Sequence, residues 1–177
     1  KIRKYILNKE FSFVSDLLKS QDLKKKFICL DISSKKKIIL VSIKKNLNTY
    51  DLENLGGKFY ETFKDSKTKE FIISSDTLLF LKLKNSIGYF LHGLKLKSYL
   101  FDKYKSKKNK KNITIFISGK NIPSSKEKLK FQSIEYGTFF SRDLVSEPGN
   151  ILHPDEYAKR LSLLKKDGLR VTIYDEK

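Results

Sequence analysis

Five short apolar runs punctuate this sequence: FICLDI (27–32), KIILVSI (37–43), EFIIS (70–74), ITIFISG (113–119) and LRVTIY (169–174). Most are rich in Ile and Val, and their length is that of strands, not helices. The first two are separated only by a polar turn, SSKKK. The later ones are separated by segments with apolar residues at helical spacing. Strands alternating with helices restrict the chain to the α/β layered class.

The helices can be placed from their own signals. Leu52, Leu55, Phe59, Tyr60 and Phe63 give residues 50–65 one apolar face. Asp51 and Glu53 at its start suit the positive end of the helix dipole. Gly56 and Gly57 inside it should each cost about 1 kcal/mol against alanine. Close packing of this helix on a sheet would explain the pair. A phosphate loop would not, because no further glycine follows at fingerprint spacing. Residues 76–101 read as one long helix, or two broken near Gly88. Lys82, Lys84, Asn85, Lys95 and Lys97 interrupt its apolar run, which argues against a membrane span.

Ser124 and Glu127 form a capping box that opens a helix running to about residue 146. Pro148 and Gly149 stop it. His153 occupies the next N-cap position and Pro154 the first helical one, with Asp155 and Glu156 beside the positive dipole end. Lys165, Lys166 and Gly168 close that helix.

The formal net charge is +18, from 38 Lys and Arg against 20 Asp and Glu. Such an excess fits a nucleic-acid or anionic-membrane surface. It also fits a plain lysine-rich composition, because Arg occurs only at 3, 142, 160 and 170, and base readers favour Arg forks. The compositional reading is preferred. Cys29 is the single cysteine, so no disulfide forms within the chain. A buried, inert thiol and a reducing cytoplasm are expected. The sequence opens on Lys1 and closes in VTIYDEK, so both ends read as cut.

Candidate chemistry is sparse. His92 lies in the most apolar helix and reads as a core histidine before it reads as a base. For His153, a capping or loop role is expected. Asp143 and Glu147, four residues apart near a helix end, could form half a metal site. More ordinarily they pair with Arg142 or a lysine. The loop after residue 101 carries Lys105, Lys107, Lys108 and Lys110 with Tyr99, Phe101 and Tyr104 nearby. It is the best nucleic-acid contact surface the chain offers, phosphate-driven and unspecific, although a solvated loop is the plainer reading. No H-E-x-x-H, Walker loop, G-x-G-x-x-G or G-x-S-x-G occurs.

One stretch points to a family. FFSRDLVSEPGNILHPDEYAKRL (139–161) resembles the segment that joins the two domains of the cytosolic leucyl aminopeptidases, through Arg142, Asp143, Leu144, Val145, Glu147, Pro148, Asn150, Leu152 and Pro154. Upstream, LENLGGKFYETFK is similar to that family's L-x-x-x-G-G-K helix, and GLKLKSYLFDKYKSKK to its Y-x-F-D-x-Y-K segment. Order and spacing agree over roughly residues 37–177. The chain departs at His153, where threonine is common, at Ser146, where asparagine is common, and at LVSIKK, which replaces a glycine-containing strand end. Residues 1–26 do not align.

The resemblance implies a two-domain, hexameric, cytoplasmic enzyme. Its catalytic domain would hold two divalent metal ions, Mn²⁺ or Zn²⁺, and act on peptide substrates. On that basis residues 1–120 would be a macrodomain-like α/β/α layered domain, 121–150 a connector helix and linker, and 151–177 the start of the catalytic domain. No catalytic, metal or substrate residue is assigned, because the family's N-T-D-A-E-G-R-L metal motif does not occur in this sequence. The competing reading is a basic macrodomain-like module that binds nucleic acid or an ADP-ribose-type nucleotide. No membrane partner is expected.

Overall fold

A computed structural model describes residues 3, 6–34, 36–107 and 113–174. The chain divides into two compact units, one ending at Leu47 and the other starting at Asn48. The mixed α/β class expected from the sequence stands. The described strands pair two by two, one ladder in each unit.

The first unit packs a helix on a hairpin. α1 spans Asn8–Lys19, β1 Phe27–Ser33 and β2 Lys36–Val41. The strands are antiparallel, with Phe27 opposite Val41 and Leu30 opposite Ile38. Strand alternation turns Ile28 and Leu30 inward onto Ile6 and Val14, and Leu17 and Leu18 complete the apolar face of α1. The same alternation turns Cys29 outward, so it is exposed and not buried as expected. Its thiol is nonetheless raised above the ordinary value, by desolvation first and by the Asp31 carboxylate second. That disfavours the reactive thiolate.

The second unit is built on two helices that cross at glycines. α2 spans Thr49–Phe63 and opens with a capping box between Asn48 and Asp51. α3 spans Ser86–Lys97. A Cβ placed on Gly56 would lie 1.9 Å from the carbonyl oxygen of Phe90, and one on Gly93 would lie 1.9 Å from that of Glu53. The two backbones therefore approach more closely than any other residue type permits. This corrects the expected partner for Gly56: the close neighbour is a helix, not a sheet.

β3 (Glu70–Ser74) and β4 (Thr114–Ser118) pair in parallel, Phe71 beside Ile115 and Ile72 beside Phe116. A parallel pair needs a long crossover, and α3 lies within it. Phe71 enters the core, where its ring meets those of Phe59 and Phe63. Ile72, its strand neighbour, is 77% exposed.

The segment 76–101 is broken, but not at Gly88. A 3₁₀ helix covers Ser75–Leu81, and it is separated from α3 by Lys82 and Asn85, both left-handed at φ 53° and 59°. Gly88 sits inside α3, where a Cβ would meet the Asn85 side chain and the Phe131 ring. Among the described residues, no helix is long and apolar enough to cross a membrane.

α4 spans Ser125–Ser146, with the Ser124–Glu127 capping box in place. α5 spans Pro154–Ser162 and continues as a 3₁₀ turn to Asp167, closed by left-handed Gly168. Residues 169–174 were expected to form a strand. They have no ladder partner among the described residues and form none.

Candidate functional site

The joint between α4 and α5 is where the sequence-marked residues gather. After α4 the backbone turns extended at Glu147 (φ −68°, ψ 137°). The Pro148 carbonyl then accepts from the amides of Ile151 and Leu152, both at 2.9 Å, in a tight turn. His153 is extended and Pro154 opens α5. The His153 side chain makes no capping hydrogen bond, so only its backbone fills the expected N-cap role: its carbonyl accepts from Tyr157 at 2.9 Å.

Glu147 is the hub. One carboxylate oxygen accepts from Lys103 Nζ at 2.6 Å and from Arg160 Nη1 at 2.8 Å. The other accepts from the Tyr104 hydroxyl. The Glu147 side chain is 1% exposed. Arg160 also donates through Nε to Glu156 Oε1 at 3.0 Å. Three donors from two other segments thus satisfy a carboxylate that would otherwise be costly to bury.

These donors, Lys103 first and then Tyr104 and Arg160, hold the Glu147 carboxyl at about 2, from an ordinary value of 4.5. A depressed carboxylate stabilises the folded state above the ordinary value and loses that contribution as pH falls through the folded one. The knot should therefore be intact above pH 4.5 and undone on descent toward 2. A carbon-13 titration of the Glu147 carboxyl should show a midpoint near 2, moving toward 4.5 in Lys103→Ser. A midpoint near 4.5 in the unaltered protein would show that the knot does not form in solution.

Asp143 and Glu147 do not act as a pair. Asp143 accepts from the Tyr99 hydroxyl at 2.8 Å. Arg142 serves neither carboxylate; it caps α3 by donating to the Leu96 carbonyl at 2.7 Å and lies over the Tyr99 ring. Among the described residues, no group of three or more His, Cys, Asp or Glu side chains is placed to hold a metal ion.

His92 is 5% exposed. Its Nδ1 lies 3.0 Å from Glu135 Oε1, and its ring packs on Phe131. A carboxylate can only accept, so the bond needs the proton on Nδ1. The histidine joins α3 to α4, as a core histidine should.

The lysine loop is only partly free. Lys103 and Tyr104 are committed to Glu147, and Tyr99 packs on Phe139 at 5.3 Å. Phe101 meets Tyr104 edge to face. Lys105 and Lys107 are exposed. Lys108 and Lys110 lie outside the described residues.

Between α4 and the segment 157–169 runs an open groove of about 810 Å³. Tyr136, Phe140 and Leu144 line one wall, and Tyr157, Leu161 and Leu164 the other.

The sequence offers Glu147 as half a metal site with Asp143 or, more ordinarily, as the partner of Arg142 or a lysine. A stronger signal was available. A carboxylate at the C-terminal end of a 22-residue helix sits at the negative end of the dipole. Its presence there calls for cations, and the candidates were the lysines after Phe101 and the lone arginine of the next helix.

The site thus defines a mixed α/β chain with a charged joint between two helices. No family model matches it. Curated relatives do. A probable cytosol aminopeptidase of Clostridium perfringens (strain 13 / Type A) is 34% identical over 128 residues, covering 68% of this chain and 26% of that protein. One from Rhodopseudomonas palustris (strain TIE-1) is 30% identical over 138 residues, covering 75% and 27%. One from Wolbachia pipientis wMel is 28% identical over 160 residues, covering 85% and 30%. This chain is a relative of the cytosol aminopeptidases, as its ordered motifs indicated. It spans less than a third of the length of these relatives.

Proposed function

We propose that this chain is the non-catalytic N-terminal part of a metal-dependent leucyl-type aminopeptidase, an enzyme that removes N-terminal residues from peptides. The observation that carries the reading is the match, over most of the chain, to proteins named as probable cytosol aminopeptidases. The joint supports it, since the motif used for the resemblance folds as helix, stop and new helix. In this reading the macrodomain-like layering belongs to the domain before the connector. The two divalent ions, Mn²⁺ or Zn²⁺, are held by residues outside this chain. The enzyme is cytoplasmic and hexameric, and this part packs on the catalytic domain.

The test is hydrolysis of a leucyl chromogenic amide by the full-length protein loaded with Mn²⁺ or Zn²⁺. Release of the chromophore, abolished by chelation and restored by metal, is expected. No release with either metal overturns the reading.

A second reading, polyanion binding, is favoured by the exposure of Lys105 and Lys107. Duplex DNA retained at low salt, and lost when Lys105, Lys107, Lys108 and Lys110 become Ser, would support it. Absent or unaltered retention would remove it.

A further inference from the structure

The apolar walls of α4 and α5 face each other across an open groove, and α5 has no broad backbone contact with α4. Yet the two are tied. Arg160, in the last turn of α5, reaches Glu147 at the end of α4 with 2.8 Å between nitrogen and oxygen, and Glu156 holds the same guanidinium from its own helix at 3.0 Å. On the other side, Lys103 and Tyr104 fasten Glu147 to the segment that follows α3. The turn between them contains Pro148 and Gly149 and ends at Pro154, the first residue of α5, and a Cβ on Gly149 would meet nothing within 4 Å. Nothing packs on the turn at Gly149 itself, and Ile151 and Leu152 beyond it are only half-buried.

We propose that Glu147 is a positioning residue that locks this joint, an ionic strut that sets the angle at which the chain leaves α4. The strut, not apolar contact across the groove, holds the helical segment 154–167 in place. Removing the charge frees α5 to pivot about the proline-bounded turn while α2, α3 and α4 stay folded. The proposal is independent of any peptidase activity, since it concerns only contacts within residues 103–167.

The test is amide hydrogen exchange on the full-length protein, comparing Glu147→Gln with Asp143→Asn. Gln keeps the volume of Glu but removes the charge that Arg160 and Lys103 share. Asp143 lies one turn away and serves Tyr99 instead. In Glu147→Gln, amides of 157–162 should exchange about tenfold faster or more, while those around Phe131 and in α3 stay within about twofold. In Asp143→Asn, the α5 amides should keep their rates. Unchanged α5 exchange in Glu147→Gln would overturn the proposal. So would equal loosening of α5 by Asp143→Asn, or a loss in Glu147→Gln that spreads evenly through α2 and α3.

Discussion

Gly93→Ala should destabilise the second unit by roughly 3 kcal/mol or more, near the upper end of overpacking penalties. The added Cβ would stand 1.9 Å from the Glu53 carbonyl oxygen, with the Glu53 carbonyl carbon and Cα at 2.4 and 2.5 Å. These are backbone atoms of a packed helix and cannot swing aside. Relief requires α2 and α3 to separate, which opens the core beneath them. Alanine's better helix propensity offsets only about 1 kcal/mol. Gly56→Ala should behave alike, because its Cβ would meet the Phe90 carbonyl oxygen at the same 1.9 Å. Gly137→Ala is the contrasting case. No atom lies within 4 Å of its Cβ, so this mid-helix change should stabilise by about 0.5–1 kcal/mol. Thermal unfolding followed by circular dichroism checks all three. Gly93→Ala with an unchanged midpoint would show that the helices do not cross this closely.

Phe59→Ala should cost about 3–5 kcal/mol, as deletion of a buried phenylalanine does when its surroundings cannot collapse. Phe59 is 4% exposed. Its ring centre lies 4.7 Å from that of Phe63, 5.2 Å from Phe71 and 5.7 Å from Phe90. Those partners come from α2, β3 and α3, so one side chain ties three elements together. The loss combines buried area with tilted and edge-to-face ring contacts. Against a typical total of about 5–15 kcal/mol, this change alone could leave the unit marginal. Urea unfolding should show a lower midpoint. A loss under about 1 kcal/mol would contradict the packing described.

The sequence was most legible where local chemistry decides structure. Ser124 and Glu127 marked a helix start that the structure shows with both reciprocal hydrogen bonds. Leu52, Leu55, Phe59, Tyr60 and Phe63 marked a face that is buried in full. Legibility fell where two distant elements decide. Gly56 announced close packing, but only the fold shows that Gly93 answers it from α3. The break after Leu81 depends on left-handed backbone at Lys82 and Asn85, and nothing in the lysine itself announces that. Residues 169–174 have strand composition, but a strand exists only beside a partner. The helix Asn8–Lys19 is fixed in the same non-local way, its Val14, Leu17 and Leu18 meeting a hairpin placed later in the chain. At the end of a helix Glu147 calls for cations, but which ones answer is decided by the fold: Lys103 lies 44 residues away in sequence and Arg160 13.

α4, at 22 residues, is about 33 Å long at 1.5 Å per residue. Its attachments to α3 and the segment after it recur along that length. Phe131 packs under Tyr89 and His92, Glu135 bonds His92, Phe139 meets Tyr99, and Arg142 and Asp143 reach Leu96 and Tyr99. In mechanical terms α4 is a beam riveted at nearly every turn, not a rod pinned at one end. A single rivet can be removed without releasing the beam, because the others still resist tilt. Such a member carries displacement from one end to the other with little bending. A load placed on Phe131 is therefore shared at once with α3, through Tyr89 and His92.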